Sequence, residues 1–323
     1  MAVSLLGENQ PSRAREARHL GHRCGFLVTD SEIGRSGAVW IRGARLRTIP
    51  LAFGPVLLGS ASAWHAGAFD ALLASLALVV AVSLQIGVNY ANDYSDGIRG
   101  TDDYRVGPAR LTGSGQVEAR LVKRAAMISF GVTILAGMVL IAVSGMWWLV
   151  LVGALSLWAA WTYTGGTDPY GYRGLGEVVV FMFFGPVATA GTAYVQVGVV
   201  PVDSLVTGSG MGFFAAAVLL INNLRDLAPD TQAGKNTLSV RIGGLASKIL
   251  ITAFLVLPFL LLGFLLREFP LSLWVLATGI GAVAGGVQVW RARGPAPLIS
   301  ALQIISSVSL AYAALLSAAM IVS

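Results

Sequence analysis

Residues 71–91 read ALLASLALVVAVSLQIGVNYA, a run without a single charged side chain. A helix needs roughly 20 consecutive apolar residues to cross the hydrocarbon core of a bilayer, so this run predicts a transmembrane helix. Eight further stretches have the same character, and none of the nine contains lysine or arginine. The sequence therefore predicts an all-α fold, a polytopic membrane helical bundle of about nine transmembrane helices. Their approximate bounds are 48–66, 70–91, 125–143, 145–163, 177–199, 204–223, 249–266, 271–290 and 297–322.

The composition of the whole chain agrees with this interpretation. Of its 323 residues, 55% are hydrophobic and only 12% are charged, and the mean hydropathy is +0.73. Soluble domains carry about 25% charged residues, so a soluble globular protein is excluded. The apolar runs are also too long for the strands of a membrane barrel, whereas a helix satisfies its own backbone hydrogen bonds within lipid.

The first 42 residues differ from the rest of the chain. They are polar and basic, and they lack the apolar core of 7–15 residues that a signal peptide requires. We expect residues 1–42 to form a flexible, basic cytoplasmic extension and residues 43–323 to form the transmembrane domain. Cys24 is the only cysteine, which excludes an internal disulfide, and no histidines accompany it at zinc-binding spacing.

The basic residues predict the orientation of the bundle. With nine spans, every lysine and arginine except Arg267 falls on the same side of the membrane. By the positive-inside rule that side is the cytoplasm, which places the N-terminus inside the cell and the C-terminus outside, in the plasma membrane. The net charge of +6 then reflects topology. No basic face with interleaved aromatic residues is present, so nucleic-acid binding is not indicated.

Clustered acidic residues lie in two segments on the predicted cytoplasmic side, one after the second span and one after the sixth. In the first, Asp93 and Asp96 are three residues apart, and Asn89 lies one helical turn before them. In the second, Asn222, Asp226 and Asp230 follow one another at intervals of four. Residues three or four apart share one face of a helix. Each segment therefore predicts a column of oxygen ligands, with a bend near Asp230 caused by Pro229.

These columns predict a site for a cation and a phosphate compound. Carboxylates so close together repel one another, and charge is costly at a membrane boundary, so a bound cation should offset them. Oxygen ligands without histidine or cysteine favour Mg²⁺ or Ca²⁺, and Mg²⁺ takes one or two carboxylates and completes its shell with water and phosphate oxygens. Basic residues near the columns suit a diphosphate; they are Arg99, Arg105, Arg110, Arg225 and Lys235. The competing interpretation is that the acids are solvated loop residues. The sequence contains neither a P-loop nor a readable Ser-His-Asp arrangement.

The two acidic segments resemble the signatures of the UbiA superfamily of intramembrane aromatic prenyltransferases. Within it, the likeness is greatest to the branch that prenylates 1,4-dihydroxy-2-naphthoate in menaquinone synthesis. The resemblance covers roughly residues 43–323, and one departure is Gly100, where the wider superfamily often has a third acid. Five strings carry it: RTIP (47–50), NDYSDGIRGTD (92–102), RVGPARL (105–111), YTGGTDPYGYRGLGE (163–177) and NNLRD (222–226) with GKNTL (234–238).

The resemblance implies a polyprenyl diphosphate donor, 1,4-dihydroxy-2-naphthoate as acceptor, and two Mg²⁺ ions. It implies that the four aspartates hold the metal, that Lys235 and Arg225 neutralise the leaving group, and that the three asparagines complete ligation or bind phosphate. Asp102, Asp103, Arg110 and Tyr163 remain open as residues that position the acceptor, and Arg99 as a further substrate contact. In the implied reaction, the aromatic ring of the acceptor attacks an allylic carbocation-like centre of the prenyl donor. Loss of the acceptor's carboxylate then restores aromaticity. The alternatives are a related prenyltransferase acting on 4-hydroxybenzoate or homogentisate, and a cation or phosphate-ester transporter. The oligomeric state is not predicted.

Overall fold

The computed structural model describes residues 37–102 and 107–323, and across these residues it contains helices and no β-strand, which confirms the all-α class. The α-helices in chain order are α1 (Gly37–Ala44), α2 (Pro50–His65), α3 (Ala71–Ile98), α4 (Ala119–Ser144), α5 (Leu149–Thr162), α6 (Gly176–Met182), α7 (Ala188–Val197), α8 (Val202–Arg225), α9 (Leu227–Gln232), α10 (Leu238–Leu265), α11 (Gly279–Arg291) and α12 (Pro295–Val322). A π-turn (Phe183–Val187) joins α6 to α7, and a 3-10 segment (Pro270–Thr278) precedes α11.

All nine predicted apolar stretches are helical, but nine membrane spans are not confirmed. Seven helices in the described part of the chain are long and apolar enough to cross a membrane, when Gly176–Val197 and Pro270–Arg291 are each taken as one helix. The other two, α2 and α5, have 16 and 14 residues. A helix the length of α5 rises about 21 Å, which is less than the ~30 Å of a hydrocarbon core. The predicted stretch at 145–163 was too long because residues 145–148 form a turn.

The helix from Gly176 to Val197 is irregular for a local reason. Pro186 has no N–H to donate, and Gly185 has non-helical backbone angles (φ −116°, ψ −105°) within the π-turn. A Cβ atom at Gly185 would lie 2.5 Å from the carbonyl oxygen of Gly208 in α8. Glycine therefore lets this turn pack directly against the backbone of α8, the helix that carries the second acidic segment.

The buried apolar side chains divide into a large cluster and two smaller ones. The large cluster joins α2, α8, α10, α11 and α12 around Phe214 and Tyr312, whose rings meet edge to face with centroids 5.2 Å apart. The Tyr312 hydroxyl donates to the carbonyl of Pro258 at 2.9 Å, which ties α12 to α10. A second cluster joins α1, α3, α4 and α5 around Tyr90 and Phe130. These clusters hold the two acidic segments on different groups of helices.

The outer surface of the bundle is apolar. Ile128, Leu135, Phe264 and Ile280 are all more than two-thirds exposed. Such a surface is unfavourable in water and favourable against lipid tails. Together with the seven long apolar helices, it identifies an integral membrane protein.

The predicted extension at residues 1–42 lies mostly outside the described residues. Its last residues fall within α1, where Val39 is buried and the carbonyl of Trp40 accepts a hydrogen bond from the Tyr90 hydroxyl at 2.8 Å. The boundary between extension and transmembrane domain stays a prediction.

Candidate active site

The first acidic segment forms the last two turns of α3, which continues to Ile98 as the column of ligands requires. Asp70 caps the N-terminus of this helix by accepting the amide of Leu73 at 2.9 Å. Asp93 and Asp96 lie one turn apart near its C-terminus and are almost completely buried, with 1% and 4% of their surface exposed. They are therefore not solvated loop residues, and buried carboxylates need partners.

Asp93 obtains its partners from the backbone of the loop that follows α3. Its Oδ2 accepts the amide of Leu111 and its Oδ1 accepts the amide of Thr112, both at 3.0 Å. The loop can come this close because position 97 is glycine: a Cβ there would lie 2.5 Å from the Thr112 side chain and 3.0 Å from the Gly113 amide nitrogen. Asp93 thus fixes residues 110–113 against the end of α3.

The second acidic segment is not one straight column. Helix α8 ends at Arg225, Asp226 takes up a non-helical conformation (φ −92°, ψ 11°), and Asp230 lies in the short helix α9. The predicted bend near Asp230 is therefore located at Asp226. Pro229 explains this position, because its ring clashes with the carbonyl four residues earlier, that of Arg225, and it cannot donate a hydrogen bond to that carbonyl.

Arg225 and Asp226 form a buried ion pair between neighbours in sequence. The guanidinium donates from Nε to Asp226 Oδ1 at 2.8 Å and from Nη2 to Oδ2 at 2.5 Å, which is a bidentate contact. The amide of Asp230 donates to the carbonyl of Asp226 at 2.7 Å. The break in the helix thus keeps both carboxylates at the same end of the bundle.

Lys235 connects the two segments. Its Nζ lies 3.3 Å from Asp96 Oδ2 and 4.0 Å from Asp230 Oδ1, and it is 4.7 Å from the centre of the Tyr172 ring. The amide of Lys235 donates to the carbonyl of Asp230 at 2.8 Å, which fixes the turn that presents the side chain. One buried ammonium group therefore bridges acids that are far apart in sequence.

The loop between α5 and α6 covers this cluster from the predicted cytoplasmic side. The Tyr172 hydroxyl donates to Asp96 Oδ1 at 2.5 Å, and the Thr164 hydroxyl donates to Asn92 Oδ1 at 2.7 Å. Arg99 donates to the backbone carbonyls of Thr164 and Gly166. Burial, followed by the negative charge of Asp96, raises the pKa of Tyr172. The phenol therefore remains a hydrogen-bond donor at neutral pH.

A cavity of about 960 Å³ opens at this cluster and continues between the helices. Its polar end contains most of the predicted site residues, whereas Arg99 and Asp102 lie outside its wall. Its remainder is mainly apolar, and the lining residues Ile134, Met138 and Val150 are also exposed on the outer surface. The apolar end therefore opens between α4 and α5. The predicted site residues on the wall are Asn89, Asn92, Asp93, Asp96, Arg110, Tyr163, Asn222, Arg225, Asp226, Asp230 and Lys235.

Two of the predicted residues on the cavity wall, Asn89 and Arg110, also contact other parts of the protein. The side-chain amide of Asn89 donates to the carbonyl of Ala44 at 2.9 Å. Arg110 Nε lies 3.9 Å from Asp102 Oδ1. Asp103 and Arg105 lie outside the described residues. Within the described ranges, no three acidic, histidine or cysteine side chains are grouped closely enough to form a metal cage from protein ligands alone.

A comparison with known protein families identifies the family to which this chain belongs. The model of the UbiA prenyltransferase family matches residues 52–321, most of the chain. The chain belongs to the UbiA prenyltransferase family. This confirms the resemblance inferred from the five strings, and it makes the chain a prenyltransferase.

Other UbiA-family proteins support the assignment. A 1,4-dihydroxy-2-naphthoate octaprenyltransferase from Mycobacterium tuberculosis is 51% identical over 222 residues, which cover 68% of this chain and 75% of the relative. The apo structure of a UbiA homologue from Aeropyrum pernix K1 has a TM-score of 0.62 at 15% identity, covering 84% of this chain and 97% of that chain. A UbiA homologue from Archaeoglobus fulgidus bound to GPP and Mg²⁺ has a TM-score of 0.57 at 14% identity, and the match covers 88% of this chain and 100% of that chain. At these identities the solved structures show the fold alone.

Sequence reasoning missed two residues of this UbiA-family site, Tyr172 and Thr164. Both belong to the string at 163–177, where Pro169, Gly171 and Gly174 indicate a turn. The string was recognised, but nothing in its spacing indicates which of its side chains faces α3. That contact depends on how the loop crosses the bundle.

Proposed function

We propose that this enzyme transfers a polyprenyl group from polyprenyl diphosphate to 1,4-dihydroxy-2-naphthoate, with loss of the acceptor's carboxylate. The observation that carries the proposal is one cavity with four aspartates and several cations at its polar end, among them Arg110, Arg225 and Lys235, and an apolar remainder that opens to the lipid-facing surface. A polyprenyl diphosphate has the same two parts. The relative from Mycobacterium tuberculosis, 51% identical, is named for the same naphthoate acceptor.

The four aspartates fit Mg²⁺ by the chemistry of their donor atoms. Each segment offers two carboxylates, and Mg²⁺ typically uses one or two carboxylates and completes its octahedron with water and phosphate oxygens. The lack of a three-ligand cage in the described ranges agrees with ligation that the substrate completes. Asp93 and Asp96 would hold one ion, and Asp226 and Asp230 a second. Bound there, Mg²⁺ would supply positive charge to the diphosphate oxygens.

Lys235 and Arg225 neutralise charge that develops on the departing diphosphate. Both are buried against carboxylates before substrate binds, so they need little reorganisation to act. Electrostatic stabilisation of a leaving group is strongest in a site that excludes water. As the C1–O bond of the donor weakens, the allylic carbon becomes positive, and the apolar wall beside it keeps water from attacking.

The acceptor ring then attacks this carbon from the polar end of the cavity. Tyr163 lines that end, with its ring 5.5 Å from that of Tyr170. The carbon–carbon bond forms with electrons from the ring, and the bond to the carboxylate breaks to return an electron pair to the ring. The products are the prenylated quinol, diphosphate and carbon dioxide.

Product analysis tests this proposal directly. Purified enzyme in lipid nanodiscs is incubated with polyprenyl diphosphate, Mg²⁺ and 1,4-dihydroxy-2-naphthoate labelled with ¹³C in its carboxyl group. We expect a prenylated, decarboxylated product by mass spectrometry, together with labelled carbon dioxide. EDTA should abolish the reaction and Mg²⁺ should restore it. An equal or faster reaction with 4-hydroxybenzoate would reassign the acceptor, and full activity in EDTA would remove the metal from the proposal.

The orientation of the protein is a second part of the proposal. The N-terminus and the active site face the cytoplasm, and the C-terminus faces outward, because the basic residues are concentrated at the end of the bundle that holds the site.

Cysteine labelling tests this orientation. In a Cys24→Ser background, an impermeant thiol reagent applied to intact cells should label Arg267→Cys and should not label Arg173→Cys. Arg173 is well exposed on the loop that covers the site, so protection there reports sidedness rather than burial. Lysed cells provide the control, since both positions should then react. The reverse pattern in intact cells would contradict the proposed orientation.

A further inference from the structure

Arg110 has an unusual environment for an arginine. Only 8% of its surface is exposed, yet its Nε and Nη1 atoms have no hydrogen-bond partner within the part of the chain that the structure describes. The nearest carboxylate oxygen, Asp102 Oδ1, lies 3.9 Å from Nε, beyond hydrogen-bonding distance. A buried donor without an acceptor is unfavourable, and more so when it is charged. The guanidinium therefore lacks an acceptor that a ligand could supply.

The position of Arg110 is fixed by its neighbours. Asp93 holds the next two backbone amides, those of Leu111 and Thr112. Arg110 consequently lines the polar end of the main cavity, and it also lines a smaller cavity of about 230 Å³ that includes Asp102 and Ser114. Arg110 therefore lies beside a ligand at the polar end of the main cavity, and rotation of its enclosed side chain, without movement of the backbone, would bring Nε and Nη1 to that ligand.

The ligand that fits is a carboxylate. The planar guanidinium fork matches the two oxygens of a carboxylate. Arg110 is separate from the cations of the second acidic segment: Arg225 is paired with Asp226, and Lys235 lies between Asp96 and Asp230. The other arginines on the cavity wall are Arg42 and Arg47, which are exposed, and Arg45, which donates to the carbonyl of Asn89. Among the described cations on this wall, Arg110 therefore combines burial with unpartnered donors, and we assign it to the other anionic substrate.

From this arrangement we infer that Arg110 is the specificity-determining residue that binds the carboxylate of the aromatic acceptor. The inference rests on the proposed function for the existence of a carboxylated acceptor. Arg110 orients the ring by its carboxylate, and Asp102 balances the charge of the guanidinium when no acceptor is bound.

The test compares a carboxylate with an uncharged amide of the same shape. The inhibitors 1-hydroxy-2-naphthoate and 1-hydroxy-2-naphthamide compete with the acceptor at saturating donor, using the full-length enzyme in nanodiscs. We expect the wild-type enzyme to prefer the acid by about tenfold or more, as is typical of a charge-assisted contact. Arg110→Gln should reduce this preference to near unity and leave the KM for the donor unchanged. Arg120→Gln, which changes an exposed arginine on α4, should behave as wild type.

The outcomes separate this inference from its alternatives. An unchanged acid preference in Arg110→Gln would overturn it, as would a raised donor KM with the acid preference intact, which would assign Arg110 to the diphosphate. If Arg110→Gln does not fold, Arg110→Lys keeps the charge but not the fork, and an acid preference equal to that of wild type would overturn the inference. If product analysis shows another acceptor, the proposed function fails, and the same acid and amide comparison on that acceptor still decides the role of Arg110.

Discussion

The acidic segment at the end of α3 and the one after α8 bring their carboxylates to the same cavity by different means. The first lies on an unbroken helix, and both oxygens of Asp93 bind the backbone of a neighbouring loop. The second lies across a helix break, and Asp226 binds the side chain of Arg225. Two motifs that look alike in sequence therefore have different partners. The first fixes a loop through its backbone amides, and the second forms an ion pair with a neighbouring arginine.

This difference has a consequence for catalysis. Asp93 has a positioning role that the protein needs before any substrate binds, because it places Arg110 and the loop beside the site. Under the proposed function, Asp226 would bind Mg²⁺ while it remains beside Arg225, so the cation needed at the leaving group is already in place. Asp96 and Asp230 belong to different segments but have the same cationic partner, Lys235.

The largest expected effect comes from removing one charge in each segment. Asp93→Asn and Asp226→Asn should each lower turnover by two or more orders of magnitude, about 3 kcal/mol or more of transition-state stabilisation. Only Asp93→Asn should raise hydrogen exchange in residues 107–117, because an amide side chain offers one acceptor oxygen where the two loop amides need two. Turnover assays and hydrogen–deuterium exchange by mass spectrometry measure the two effects.

The control variant is Asp168→Asn, an exposed acid on the loop after α5, which should change neither quantity. Asp226→Asn leaves Arg225 buried without its counter-charge and should lower the melting temperature. The double variant Asp226→Asn with Arg225→Gln should recover stability but not turnover. Near-normal turnover in well-folded Asp93→Asn and Asp226→Asn would contradict the two-segment metal site.

The sequence predicted the helices and the two acidic segments because both depend on local information. A long apolar run determines a membrane helix, and a spacing of three or four determines a shared face. The lengths of the helices were less predictable. Residues 145–148 are uncharged like the helix that follows them, yet they form a turn, and the absence of charge does not distinguish the two.

The partners of the site residues were not predictable, since they come from distant parts of the chain. Asp96 is bound by Tyr172, 76 residues later, and by Lys235 on another loop. Asp93 accepts hydrogen bonds from backbone amides, which every residue except proline possesses and which therefore give no specific signal in the sequence. Only Gly97, which permits the close approach, gives a local signal, and its meaning depends on the loop it meets.

A smaller effect is expected from Gly97→Ala, which tests the loop without touching a carboxylate. The added methyl group would overlap Thr112 and Gly113, so the loop must move by some tenths of an ångström and weaken both hydrogen bonds to Asp93. We expect turnover to fall by about tenfold to thirtyfold, about 1.4–2 kcal/mol. Exchange in residues 107–117 should rise as in Asp93→Asn. Gly131→Ala, at a site in α4 where nothing lies within 4 Å of the new Cβ, should leave both unchanged; a loss in Gly97→Ala without a rise in loop exchange would contradict the mechanism.

The smallest effect is expected from Tyr172→Phe, which removes one hydrogen bond from Asp96 and leaves the contact with Lys235. Turnover should fall by about fivefold to tenfold, about 1–1.4 kcal/mol.

Because burial and the charge of Asp96 raise the pKa of Tyr172 above its ordinary value of 10.0, the folded protein keeps this proton where an unfolded chain loses it. The ratio of wild-type to variant turnover should therefore stay constant between about pH 7 and 9. Above about pH 10 the unfolded state releases the proton first, so wild-type stability should fall with rising pH more steeply than that of the variant. Convergence of the two turnover profiles below pH 9 would show that Tyr172 ionises in the folded site, and would remove it as the donor to Asp96.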